Sequence, residues 1–364
     1  MASSYNELFG LGSHSPDANL AGWWKLDDNA ASTTVTDYSG NGNDLTCNVN
    51  TSTAHSTDAP AYNTASFSFD GTSSSPFCYI NSNMGSGANS GDCTLLVWYK
   101  TNTTSGTDGI MGYSHFFIGG VSGGGAGGLY RNSSLHTSHW ESSGFGNDLN
   151  RSLSGMTTGT WYSNGNCLDN NGNRADSHID GTFNSFRSDT GFDNGGSQKA
   201  PFWVGAMGTS TGSPSNYWDG YISNPAVFNR DLATSEVLEY HEGPEPINTV
   251  APVASYNGTD TASVTNGTWD SQSNGTITYT YQWYRADDAI GTNEAAISGA
   301  TSSSYSTTGA DDAKFLRCLI AASNDGGNDS SADTYSSYAE IVSGGGGFQA
   351  AWAINSTVAV SGIA

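Results

Sequence analysis

Carboxylates are the first residues to weigh for chemistry, and their spacing argues against hydrolysis. A retaining glycosidase needs two carboxyl groups about 5 Å apart across one cleft. An E-x-D-x-x-E run would supply them from a single strand, and no such run occurs. Between residues 20 and 235 the only glutamate is Glu141, so acid and nucleophile would fall to aspartates with no recognisable spacing. No phosphate-binding P-loop is present either. His136-x-x-His139 with Glu141 has the residue types of a metal site. On a strand, however, positions three apart point to opposite faces, so the expectation is ordinary polar surface. The run from Asp169 through Asn171 and Asn173 to Asp180 places oxygens as part of a calcium loop would, but Arg174 stands where that loop needs glycine. A hairpin turn explains the same residues.

The composition sets the frame for these side chains. With 34 acidic against 11 basic residues the net charge is -23, which repels nucleic acid and anionic membranes. Few charges, many aromatics and abundant Gly, Ser, Thr and Asn suit short strands joined by turns. The five cysteines, Cys47, Cys78, Cys93, Cys167 and Cys318, form no CxxC. Neither a disulfide framework nor a zinc site is expected, and the thiols read as small buried apolar groups. The opening MASSYNELFG has no basic segment followed by a continuous apolar one, and no stretch approaches a membrane span. The chain is therefore expected to be made and folded in a cytosol.

The element that organises the chain is Asp219 to Gly243. Tyr221-Ile222 and Val227-Phe228 are two apolar pieces around Asn224-Pro225, as strand segments interrupted by a bend would be. A helix follows, capped by Thr234 or Ser235, with Glu236 in its first turn, Val237 and Tyr240 on its apolar stripe and Gly243 at its end. The run D-G-x-I-x-x-x-x-V-F-N-R-x-L resembles the closing strand of laminin G-like, concanavalin A-like jelly rolls. The resemblance extends from about Leu20 to residue 243. It takes in LAGWWKLDD, the loop Asp37-Tyr38-Ser39-Gly40-Asn41-Gly42-Asn43, the turn Phe69-Asp70-Gly71, the central strand Cys93 to Asn102 and the turn Asp180-Gly181. It implies that the last strand returns beside the first. It also makes Asp37, Asn41 and Asp70 the candidate calcium ligands, against the alternative that they merely cap their turns.

Residues 253–342 change character. TITYTYQWYR and AKFLRCLIAASNDGG resemble an immunoglobulin-like domain of bacterial and phage type, with Trp283 in the core position and Cys318 where the second cysteine of an antibody domain would stand. Its partner cysteine is absent, so Cys318 is expected unpaired beside Trp283. The fold class implied is all-β: a concanavalin A-like two-sheet jelly-roll sandwich at 19–243 and a smaller immunoglobulin-like β-sandwich at 253–342. A leader or docking arm occupies 1–18 and a Pro-rich linker 244–252. A Gly-rich linker with an apolar tail closes the chain at 343–364.

In that tail Phe348, Trp352, Ile354, Val358 and Val360 read as a peg for a partner. The AWAINS run resembles tails of tailed-phage structural proteins. Together these features point to a non-enzymatic bacteriophage virion protein made in the host cytoplasm. As a head decoration or tail and fibre component it would dock on other virion proteins as a homo-oligomer, with host-surface glycans as further partners. Leu8, Phe9 and Leu11 form a rival anchor. The alternative is a bacterial surface adhesin or carbohydrate-binding protein, and a polysaccharide hydrolase is disfavoured by the missing carboxylate run.

Overall fold

The computed structural model describes residues 3–81, 84, 92–113, 127–140, 151–169, 174–188, 201–208, 214–272, 274–324 and 331–342. The chain divides into two compact units, Met1–Pro244 and Glu245–Ala364.

The first unit is a jelly-roll sandwich of two antiparallel sheets. In the first sheet the strands run in the order Thr182–Ser188, Arg174–Ile179, Trp161–Asp169, Cys93–Thr101, Asp219–Phe228, Ser66–Asp70 and His55–Ser56. Asp219–Phe228 is the hinge of this sheet. Its ladder with Cys93–Thr101 skips between Ser223 and Ala226, because Asn224 is left-handed at φ 56° and Pro225 has no N–H to give. Beyond that bulge Leu20–Trp23 takes over the outer edge, Trp23 opposite Ala226 and Leu20 opposite Phe228. The closing strand does lie beside the opening one.

Cys93–Thr101 is buried along its whole length. Leu95, Val97 and Tyr99 enter the core between the sheets with Trp24, Phe67 and Phe69. Leu96 and Trp98 face the other way, into a second apolar layer built by the helices α1 (Tyr5–Phe9) and α3 (Thr234–Glu242); the short α2 (Thr51–Ala54) comes between them in the chain. The expected leader or anchor is thus part of the fold. Leu8 and Phe9 are buried and Leu11 packs against the same layer, because Ser4 and Glu7 cap α1 reciprocally. Arg230 fixes the segment by pairing with Asp17 (2.8 Å) and Glu236 (2.8 Å). Helix α3 begins one residue earlier than expected: Ala233 is its N-cap, and Glu236 Oε2 accepts from the Ala233 N–H (2.9 Å). The helix can lie this close because Gly165 has no side chain; a Cβ there would stand 2.5 Å from Val237 Cγ1.

The second sheet runs Arg151–Gly155, Leu135–Trp140, Gly127–Asn132, Thr107–Tyr113, Phe202–Val204, Cys78–Ile80, Leu45–Cys47 and Thr34–Val35. Cys47 and Cys78 lie opposite each other on neighbouring strands, with Cα atoms 4.0 Å apart, and are joined by a disulfide. This corrects the expectation of a chain without disulfides: register, which spacing in sequence does not reveal, brings two distant cysteines together. Cys93, Cys167 and Cys318 are buried and take no part in a disulfide.

The second unit is the smaller immunoglobulin-like sandwich. Thr278–Ala286 and Phe315–Ser323 pair along their whole length, with Trp283 opposite Cys318. Both side chains are buried with Leu316, Ile320 and Ile341, and Trp283 Nε1 donates to Ser302 O (2.9 Å). The stretch expected as a linker contributes the strand Ile247–Val250, which pairs with Thr268–Asp270.

Candidate functional site

The two faces of the first unit differ in what covers them. The outer face of the first sheet is filled by α1 and α3. On the second sheet, alternation along each strand sends one residue inward and the next outward. Phe202 and Val204 enter the core, so Trp203 between them faces outward. Cys78 enters the core, so Tyr79 faces outward, and Tyr217 stands beside the buried Trp218.

These outward positions gather four aromatic rings from three separate segments. Tyr79 and Trp203 are cross-strand partners, with ring centroids 5.3 Å apart. Phe77 lies 5.8 Å from Trp203, 6.2 Å from Tyr79 and 6.0 Å from Tyr217. Asn48 fixes Phe77 by accepting its N–H at Oδ1 (2.8 Å) and donating its own N–H to Phe77 O (3.1 Å). Tyr217 Oη donates to Pro214 O (3.1 Å). On the other side of Trp203 stands Gly112, which has no side chain to fill the neighbouring position.

Phe77, Tyr79 and Tyr217 are half-buried, whereas Trp203 is 2% exposed. Its indole Nε1 is buried without an acceptor. An unpaired buried donor costs about 1–3 kcal/mol, so its retention singles out this position. Aromatic faces carry negative charge density. They can stack on the slightly positive C–H face of a sugar ring, and an indole N–H can donate to a sugar oxygen.

The residues singled out by sequence are placed elsewhere. The Asp37 carboxylate accepts four hydrogen bonds: at Oδ1 from the N–H of Trp23 (3.1 Å) and Ser39 (2.9 Å), at Oδ2 from Ser39 Oγ (2.8 Å) and the Asn43 N–H (2.8 Å). Asn41 Nδ2 donates to Leu20 O (2.6 Å). Asp70 closes a different turn, accepting from Thr72 N–H (3.0 Å) and Thr72 Oγ1 (2.8 Å). Among the described residues no group of three or more His, Cys, Asp or Glu side chains gathers as a metal site. Calcium at these loops stays a proposal, in which an ion would compete with the donors that Asp37 already holds. The tail residues Phe348, Trp352, Ile354, Val358 and Val360 lie outside the described residues.

His136 is not polar surface. It is fully buried between the sheets, where Nδ1 meets Tyr99 Oη and the ring stands edge-on to Tyr162 (4.6 Å). The turn after Asn132 puts His136 opposite Arg131 on the inward side. Desolvation holds its pKa down at about 4. Trp161–Asp169 and Arg174–Ile179 pair antiparallel, Asp169 facing Arg174 and Asn164 facing Ile179, with Asp180 and Gly181 both left-handed in the next turn; Asn171 and Asn173 lie outside the described residues.

A serine, a histidine and an aspartate meet that no spacing revealed. Ser163 Oγ lies 2.9 Å from His241 Nδ1, and Asp180 Oδ1 accepts from the Ser163 N–H (2.9 Å). The aspartate therefore grips the serine backbone rather than orienting the imidazole, and the serine is buried. His241 stacks on Trp98 (5.3 Å). The arrangement pins the end of α3 to the sheet and lacks the order of a nucleophile, base and orienting acid.

No protein-family model matches the chain, and no curated protein does. Solved structures that it resembles include Trypanosoma rangeli sialidase in complex with 2,3-difluorosialic acid, at 15% identity and a TM-score of 0.43 over 66% of this chain. The chain spans 35% of the length of that sialidase. The CBM40 of Ruminococcus gnavus IT-sialidase bound to α2,3-sialyllactose aligns at 12% identity and a TM-score of 0.35, over 41% of this chain and 82% of that one. Domain 4 of the arabinanase AbnA from Geobacillus stearothermophilus, in complex with arabinotriose, aligns at 15% identity and a TM-score of 0.41, over 60% and 96%. The likeness is one of fold, and the sugars in those complexes belong to those proteins.

These findings correct two expectations. The structures matched include sialidases, a carbohydrate-binding module and an arabinanase domain, and the bacteriophage virion reading is withdrawn. The expectation that the chain is not an enzyme is withdrawn with it, since glycosidases are among the matches. The tail resemblance over six residues was too short a signal to carry the virion reading, and a missing E-x-D-x-x-E run speaks only against glycosidases that use that run.

Proposed function

We propose that the first unit is a carbohydrate-binding module that holds a glycan on the outer face of its second sheet. The observation that carries this reading is the cluster of Phe77, Tyr79, Trp203 and Tyr217 with the buried, unpaired indole N–H of Trp203 at its base. Core packing explains the inward residues of these strands but asks for no aromatic cluster on the outside. Sugar rings stack on the half-buried Phe77, Tyr79 and Tyr217, with Trp203 packed beneath them. The laminin G-like resemblance and the Cys47–Cys78 disulfide support the reading, since such bonds persist in the oxidising surroundings where extracellular glycans are met.

The test is affinity electrophoresis through gels containing a broad panel of polysaccharides, with release of reducing ends measured alongside. The full chain should be retarded by at least one polymer. Tyr79→Ala and Tyr217→Ala should each weaken retention about tenfold, the loss of about 1.4 kcal/mol. Retention by no polymer, or retention equal in both variants and the parent, overturns the assignment.

A further inference from the structure

Resting on that reading, we infer that the ligand is a single dissolved polysaccharide chain and not the face of a crystalline polymer. The relevant observation is the mutual tilt of the rings. Phe77 and Tyr79 are inclined by 33°, Phe77 and Tyr217 by 49°, Phe77 and Trp203 by 52°, and Tyr79 and Trp203 by 36°. A crystalline polysaccharide offers sugar faces that share one plane. A protein surface that adsorbs to it needs rings lying in one plane as well, because stacking energy falls once a face cannot lie flat on its partner. When Phe77 lies flat on such a plane, Tyr79 and Tyr217 on either side of it are both turned away.

A dissolved chain meets the same rings differently. Each sugar can rotate about its glycosidic bonds, so successive residues can follow successive ring tilts. Phe77 lies 6.2 Å from Tyr79 and 6.0 Å from Tyr217, so these three half-buried rings can meet successive sugars. The backbones that carry Phe77 and Tyr79 are held, Phe77 by its main-chain bonds to Asn48 and Tyr79 in a ladder whose next pair is the disulfide Cys47–Cys78. The Tyr217 ring itself is tied through its hydroxyl to Pro214 O (3.1 Å), so turning it flat would break that bond, and its 49° tilt to Phe77 belongs to the resting site.

The experiment sets soluble and crystalline forms of the same sugars against each other. The full chain is run in gels containing hydroxyethylcellulose, glycol chitin or galactomannan, and in parallel is mixed with microcrystalline cellulose, chitin or insoluble mannan and sedimented. The expected result is retardation by a soluble polymer, weakened about tenfold by Tyr79→Ala and by Tyr217→Ala, with no sedimentation on the crystalline form of that sugar. Tyr217 lies outside the sandwich core, so its variant reports on the site even where Tyr79→Ala fails to fold. Sedimentation with a crystalline form, lost in the same variants, would overturn the inference while leaving the carbohydrate-binding reading intact. Binding to neither form of any of the three polymers, nor to the broader panel, would remove that reading and the inference with it.

Discussion

Tyr99 of the first sheet and His136 of the second meet between the sheets, Tyr99 Oη against His136 Nδ1, and both side chains are fully buried. This polar contact bridges the two layers inside a mainly apolar core. Its consequences are set by the protonation state of the histidine.

Folding keeps His136 neutral, since desolvation holds its pKa at about 4 against 6.5 for an exposed imidazole. The unfolded chain therefore binds the extra proton first as pH falls. The contribution of His136 is complete above about pH 6.5 and is lost progressively down to pH 4, by about 3 kcal/mol in all. His241, also lowered by burial, acts in the same direction. Thermal unfolding of the first unit followed from pH 7 to pH 4 should show a falling melting temperature, and His136→Asn should flatten that slope. An identical slope in the variant would assign the pH dependence to other groups.

Phe9 packs against Tyr5, Trp23, Phe228 and Tyr240. Phe9→Ala should destabilise the first unit by about 3 kcal/mol. Denaturant melts of the full chain read this directly. A change within 0.5 kcal/mol, the size usual for surface sites, would return residues 1–18 to the status of a free arm.

How far the sequence revealed the fold follows the range of its signals. Local ones carried well: Asn224-Pro225 marked the bulge in the closing strand, Phe67 and Phe69 marked an inward face, and Trp283 and Cys318 found each other across a ladder. Signals that depend on register did not carry. Phe77 and Tyr79 are more than 100 residues from Trp203 and Tyr217, so their clustering exists only once the sheet has formed. The disulfide was missed for the same reason. His136 was misjudged because faces on a strand were counted without knowing which side was the core. The sequence Ser4-x-x-Glu7 is a capping box that could have identified α1.

Asp37 holds its loop through four accepted hydrogen bonds. Asp37→Ala leaves those donors unpaired and should cost about 2 kcal/mol, in EDTA as well as in calcium. If Asp37 acted only through a bound ion, parent and variant would melt together after EDTA treatment. A separate rise in the parent's melting temperature with added calcium would measure ion binding by linkage.

The disulfide gives a contrast between the two units. Cys47 and Cys78 are 31 residues apart, and in the chain-entropy description closing such a loop stabilises by about 3–4 kcal/mol. The second unit has Cys318 alone, a buried thiol whose pKa desolvation pushes up to about 11, so it stays protonated and unreactive at neutral pH. Unfolding the chain with and without dithiothreitol should therefore lower one thermal transition and leave the other in place. A Cys47→Ala/Cys78→Ala variant should melt at the reduced position and ignore the reductant, while Cys318→Ala should leave the reductant response unchanged. If both transitions of the parent are indifferent to dithiothreitol, Cys47 and Cys78 are thiols in solution. If the transition that moves belongs to residues 245–364, expressed and melted separately, Cys318 has a partner after all.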